Sequence, residues 1–185
     1  MKLVNISGNI FLIFCFGFFM GCHPDKETKK VYTVNENTLK QQFIKANQQV
    51  VQKENDDMDA YEKSHAIPFI RTNSGVRYFI SKPSANGERI NDSCEVTMEY
   101  NVSLLDGTEC YSSDKLGLKT FVVDAENIES GIHIGAKYLK NGDRAILLIP
   151  SHLAHGLLGD MNKIPPQMPI VYEVHITGLR KILNN

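Results

Sequence analysis

The chain reads as an α+β protein: an antiparallel sheet wrapped around one short helix, with an N-terminal helical leader. Three observations predict this. Cys94, Val96, Met98, Tyr100, Val102 and Leu104 are apolar at every second position with polar residues between them, the pattern of a strand buried on one face. Ile170, Tyr172, Val174 and Ile176 repeat it near the end of the chain. Between these two segments only residues 127–140 carry a helical pattern, with Ile128, Ile132 and Leu139 apolar and Asn141-Gly142 as a left-handed cap.

The leader precedes the sheet. Thr38 and Gln41 match a helix capping box, and Leu39, Phe43, Ala46 and Val50 recur at steps of three and four. Met58 and Tyr61 return to a similar face after a polar gap, and the helix ends before Pro68. Such a helix packs on the domain or forms a homodimer, and its interrupted seam favours packing. The first strand is Gly75–Ile80, Asp106-Gly107 turns the second, Phe121–Val123 is short, and Ala145–Ile149 is a buried run. Four or five strands result.

Length and composition frame these elements. The 185 residues suit one domain with appendages, and 42% hydrophobic with 22% charged residues is ordinary for a globular chain. A net charge of -1 without a long basic run gives nucleic acid no footprint. Residues 1–21 read as a signal peptide: Lys2 precedes an apolar run from Ile10 to Met20, shorter than the about 20 residues that a membrane span needs. Gly21-Cys22 follows at once, as in a lipobox that would leave Cys22 lipidated; an ordinary signal peptide is the alternative. Residues 22–37 are polar and read as a lipid-anchored flexible tether, 38–66 as the helical leader and 67–185 as the domain. Cys94 and Cys110 are expected to stay unpaired. The hairpin would set Cys110 near Val102, leaving Cys94 roughly 26 Å away at ~3.3 Å per residue, against a disulfide limit of about 7 Å.

The common signatures of catalysis are absent. His133, His152 and His155 match no zinc spacing, and Cys110 with His155 has no oxyanion element beside it. On residue type alone, Tyr100, Tyr172, Phe121 and the isoleucines are core residues.

Another kind of signature is present. Gly131-Ile132-His133-Ile134-Gly135 is followed by Asn141-Gly142-Asp143, then by Ile149-Pro150-Ser151-His152-Leu153-Ala154-His155-Gly156, then by Ile164-Pro165-Pro166. These segments, in this order and spacing, resemble the FKBP-type peptidyl-prolyl isomerases over about residues 75–181. The tether, leader and lipobox most resemble the gliding-motility-associated lipoprotein isomerases.

The resemblance implies a reaction without cofactor or metal. Rotation about an X–Pro amide is opposed by about 18–20 kcal/mol of resonance-based barrier, and a dry apolar pocket favours the twisted, less polar state. It implies that Tyr100 and Tyr172 wall the proline, with Phe121 behind them, Ile128 and Ile164 at the sides and Ile132 at the floor. The backbone N–H of Glu129 and the imidazole of His155 would donate to substrate carbonyls. Cys110 and Tyr111 stand where the family has a Phe-Asp pair, giving a roomier pocket and a phenol in place of a carboxylate. The implied partners are proline-containing segments of unfolded or exported proteins, with the membrane reached through Cys22. The implied location is the cell envelope, at the outer membrane facing the periplasm. The alternative is a weakly active or inactive chaperone or binding module of a cell-surface or motility machine.

Overall fold

The computed structural model describes residues 35–92 and 94–182; the apolar run Ile10–Met20, Cys22 and most of the tether lie outside them. Residues 36–182 belong to one compact unit that includes the leader. The elements are α1 (Glu36–His65), β1 (Ile70–Arg71), β2 (Arg77–Lys82), β3 (Cys94–Leu104), β4 (Glu109–Ser112), α2 (Ser113–Leu116), β5 (Lys119–Val122), α3 (Ser130–Ala136), β6 (Arg144–Ile149), a 3-10 turn (Ser151–Leu153) and β7 (Ile170–Lys181). The strands form one antiparallel sheet in the order β1-β2-β6-β7-β3-β4, with β5 also paired to β3.

β3 and β7 pair along their whole lengths, from Cys94 opposite Lys181 to Leu104 opposite Ile170, with one register shift between Thr97 and Met98. Their alternating apolar residues therefore share one sheet face. Val96, Met98, Val102, Ile170, Tyr172, Val174 and Ile176 are all buried there. α3 packs on this face unusually closely, and its glycines explain why. A Cβ on Gly131 would lie 2.2 Å from Ile149 Cγ2, and one on Gly135 would lie 2.6 Å from Leu147 Cδ1. Spaced by four, the two glycines bring one bare helix stripe against β6.

The opposite sheet face is covered by the second half of α1. Met58, at 0% exposure, packs with Phe69, Leu148 and Val171. The Arg77 side chain on β2 is buried and joins the same helix: its guanidinium pairs with Asp59 at 2.5 Å and Glu62 at 3.2 Å and donates to the Asn55 carbonyl at 3.2 Å. A buried cation is tolerable only when surrounded by acceptors in this way.

The structure corrects several expectations. Among the described residues seven strands form, because the two-residue β1 and the short β4 escape a period-2 reading. α1 begins at Glu36, ahead of Thr38, and its first half does not pack on the domain: Leu39 is 40% exposed and Phe43 62%. α3 is shorter than 127–140, and α2 and the 3-10 turn join it as further helical pieces. In the β3–β4 hairpin a bulge moves Tyr111, in place of Cys110, opposite Val102. Both described cysteines, Cys94 and Cys110, are buried free thiols.

Replacing Met58 with Ala removes the side chain that closes the outer face. The expected cost is about 2–5 kcal/mol, read as a lower urea midpoint at unchanged slope. A change below about 0.5 kcal/mol would mean that α1 contributes little to the stability of the fold.

Candidate active site

The β3–β7 register sets Tyr100 opposite Val174 and Tyr172 opposite Val102, so the tyrosines are diagonal neighbours on the inner face. Their ring centroids lie 6.1 Å apart with planes at 40°. Tyr172 is buried and Tyr100 half-buried at the edge of the same core, with Ile128 also half-buried against it. Ile132 on α3 and Ile164 on the loop before β7 are buried in that core. Phe121 is fully buried, with its ring edge-on to His133 at 5.5 Å. Both His133 ring nitrogens are used by backbone: Nδ1 accepts from the Asp124 N–H and Nε2 faces the Glu126 carbonyl, each at 3.0 Å. His133 is thus a structural residue that steadies the chain entering α3.

Between the tyrosines stands a side chain that the sequence analysis did not single out. Lys119 Nζ lies 5.4 Å from the centroids of both rings. It donates to Tyr172 Oη at 3.0 Å and to Glu129 Oε2 at 3.2 Å. Tyr172 Oη in turn donates to Glu129 Oε1 at 2.7 Å, and His155 Nε2 lies 3.5 Å from that same oxygen. The signal was available: Lys119 is two residues before buried Phe121 on β5, so alternation puts both on the inner face.

Electrostatics follow from this crowding. Burial acts to raise the Glu129 carboxyl; the Lys119 charge, its own backbone N–H and the Tyr172 hydroxyl outweigh it and leave it below the usual carboxylate range. Burial and then the Glu129 charge push the Tyr172 hydroxyl far above the ordinary phenol value. Tyr172 therefore stays a neutral donor.

Cys110 and Tyr111 belong to the loop side of the site. Cys110 Sγ is buried within 3.7 Å of the Thr108 carbonyl and 3.8 Å of the Lys163 carbonyl, and burial raises its thiol, so it packs rather than reacts. The Tyr111 hydroxyl donates to Asp160, and Lys163 Nζ lies 5.2 Å from the Tyr111 ring centre. Asp160 also accepts the backbone N–H groups of Asn162 at 2.9 Å and Ile164 at 2.8 Å. Burial opposes its ionisation, yet these donors lower the carboxyl to about 2. A carboxylate thus returns beside the Tyr111 phenol, supplied from a loop where sequence pattern gave no reason to seek it.

The turn carrying His155 is held from the far side of the sheet. Glu54 of α1, buried, accepts the Ser151 N–H at 2.9 Å and the Ser151 hydroxyl at 2.5 Å. The Ser151 carbonyl accepts the N–H groups of Ala154 at 2.9 Å and Gly156 at 2.7 Å, which bracket His155. A polar groove of about 490 Å³, lined by Glu99, Asn101, Arg144, Glu173 and His175, touches Tyr100 but none of Tyr172, Lys119, Glu129 and His155.

Two outcomes follow for these supports. Glu54→Ala leaves two buried Ser151 donors unmet, for an expected loss of about 1–3 kcal/mol and faster hydrogen exchange at Ala154 and Gly156; native exchange at both amides would show that the strut is idle. The Asp160 carboxyl lies lower in the fold than the ordinary 3.8, so its contribution is present above that value and lost as pH falls toward about 2. In acid unfolding, the stability gap between wild type and Asp160→Asn should close across that window; a constant gap would contradict the assignment.

Known proteins similar to this chain fall in one family. The family model for FKBP-type peptidyl-prolyl cis-trans isomerases matches residues 86–177. The chain is 31% identical over 112 residues to the FKBP-type isomerase FkpA of Buchnera aphidicola subsp. Schizaphis graminum, covering 60% of this chain and 44% of that protein. It is 32% identical over 108 residues to a probable FkpA of Neisseria meningitidis serogroup B, covering 58% and 39%. The chain thus spans less than half the length of these curated relatives. The crystal structure of FkpA from Escherichia coli superposes with a TM-score of 0.59 at 24% identity, covering 80% of this chain and 75% of that one, which is a likeness of fold. Through residues 86–177 the chain belongs to the FKBP-type peptidyl-prolyl cis-trans isomerase family.

Proposed function

We propose that the chain is a peptidyl-prolyl cis-trans isomerase that assists the folding of exported envelope proteins. The observation that carries this is the Tyr100–Tyr172 wall over buried Ile132 and Ile164, with the donors of Glu129 and His155 at its edge. An apolar wall removes water from the amide and so favours the twisted state, whose carbonyl is less polar than the planar one. Donors at the edge orient the flanking carbonyls without any proton transfer. The Glu129 carboxylate must move off Lys119 and Tyr172 before a substrate oxygen can take their donors.

A second reading rests on that same polar cluster. A site whose aromatic wall is bridged by Lys119 and Glu129 suits a chaperone or binding module of a surface or motility machine. In either reading Cys22 anchors the chain by lipid in the cell envelope, at the outer membrane facing the periplasm. The tether and lipobox support this, as they support the gliding-motility lipoprotein subtype. The proposal includes a homodimer through the exposed Leu39 and Phe43 face of α1.

The test is cis-trans exchange in X–Pro peptides, followed by NMR with the full chain in detergent. Tyr172→Ala should lower kcat/KM by at least about tenfold, the equivalent of about 1.4 kcal/mol. Unaccelerated exchange with retained binding to unfolded protein would favour the second reading. Fractionation of cells before extraction reports anchoring, and the detergent preparation reports assembly. Membrane association lost in Cys22→Ser and a dimeric mass are expected; a soluble wild type or a monomeric mass removes the corresponding part of the proposal.

A further inference from the structure

The Glu129 carboxylate occupies its surroundings as a bound ligand would. It accepts from Tyr172 Oη and Lys119 Nζ and lies 3.5 Å from His155 Nε2. These are the oxygen-seeking groups of the site, and all are engaged by one internal carboxylate. A peptide carbonyl can reach them only when Glu129 withdraws.

Withdrawal leaves Lys119 without a counter-charge. Its side chain is 23% exposed, and its ammonium stands over two tyrosine rings. β5 fixes its base, with Lys119 paired to Met98 on β3. The rings favour a cation in that place, yet an ammonium so enclosed still needs an anion. A neutral X–Pro segment supplies none.

We propose that Lys119 selects substrates: the site takes peptide segments carrying a carboxylate side chain beside the proline, and this carboxylate replaces Glu129 on the Lys119 ammonium. The inference rests on the isomerase reading and adds the substrate class to it. The exchange is one carboxylate for another, so the charge of the pocket is conserved when substrate enters. A lysine beside the proline would instead bring like charges together in a partly dry site, which opposes binding.

The test uses full-chain protein and peptides that differ only in having Glu, Gln, Leu or Lys before or after proline. Binding is titrated by NMR and turnover is measured on the same samples. Glu peptides should bind about tenfold more tightly than their Gln isosteres, with Lys peptides weakest. Lys119→Met should bring the Glu-to-Gln ratio close to one, while Lys119→Arg, which keeps the charge, should retain most of it. Glu129→Gln, which removes the internal counter-charge of Lys119, should strengthen binding of Glu peptides most and leave Lys peptides weakest. A Glu-to-Gln ratio within about twofold, or one unmoved by Lys119→Met in a variant with a native spectrum, overturns the inference and leaves the isomerase reading intact. A charge preference without turnover does the reverse, and absence of both binding and turnover removes both.

Discussion

The long antiparallel pairing of Cys94–Leu104 with Ile170–Lys181 is the constraint on which the rest of this molecule depends. Side chains alternate faces along a strand, so one register decides which residues face α3 and which face α1. It sets Tyr100 diagonal to Tyr172. It places β5 alongside β3, and thereby sends Lys119 between the two rings. It also leaves β6 on the other flank of β7, where Leu147 and Ile149 meet the glycines of α3. Every part of the site is thus one or two strands from this pair.

Onto that rigid frame the chain builds polar links that are unusual for a site expected to be apolar. Tyr172, Lys119 and Glu129 form a closed set in which each partner satisfies another, which is the condition for keeping such groups in a core. The loop before β7 has its own anchor in Asp160, and the turn after β6 has one in Glu54. All three anchors are carboxylates accepting from fixed donors. The aromatic wall is positioned by strands, whereas the segments around it are positioned by charge.

Sequence patterns disclosed the strands that matter and little about these anchors. The alternation in β3 and β7 was plain because both strands bury one face and wet the other. α3 was overestimated because Ile128 and Leu139 continue its apolar periodicity, although they approach the core from turns. The Leu139 N–H bonds the Ala136 carbonyl and Lys140 bridges to Arg89, so the helix has already ended. In α1 the apolar positions Leu39 and Phe43 suggested the start of the packed seam yet stay exposed, whereas Met58 from the same reading is buried together with Glu54. A glutamate on a helix carries no mark of burial until its partner is known, and Ser151 is 97 positions away. Tyr100, Tyr172, Ile132 and His155 were named through family resemblance, Lys119 was readable from its alternation with Phe121, and Asp160 and Glu54 required coordinates.

The position of Glu54 alters where the working unit of this protein begins. Family likeness starts at residue 86, and a change in sequence character marks the domain from residue 67. Yet the turn that presents His155 takes two of its hydrogen bonds from α1, and Arg77 and Leu148 find their cover there too. A fragment cut at residue 67 would carry every residue that walls the site. It would also expose an apolar sheet face, strand a buried cation and release the turn. The leader is better regarded as the missing outer layer of the domain than as a spacer that precedes it.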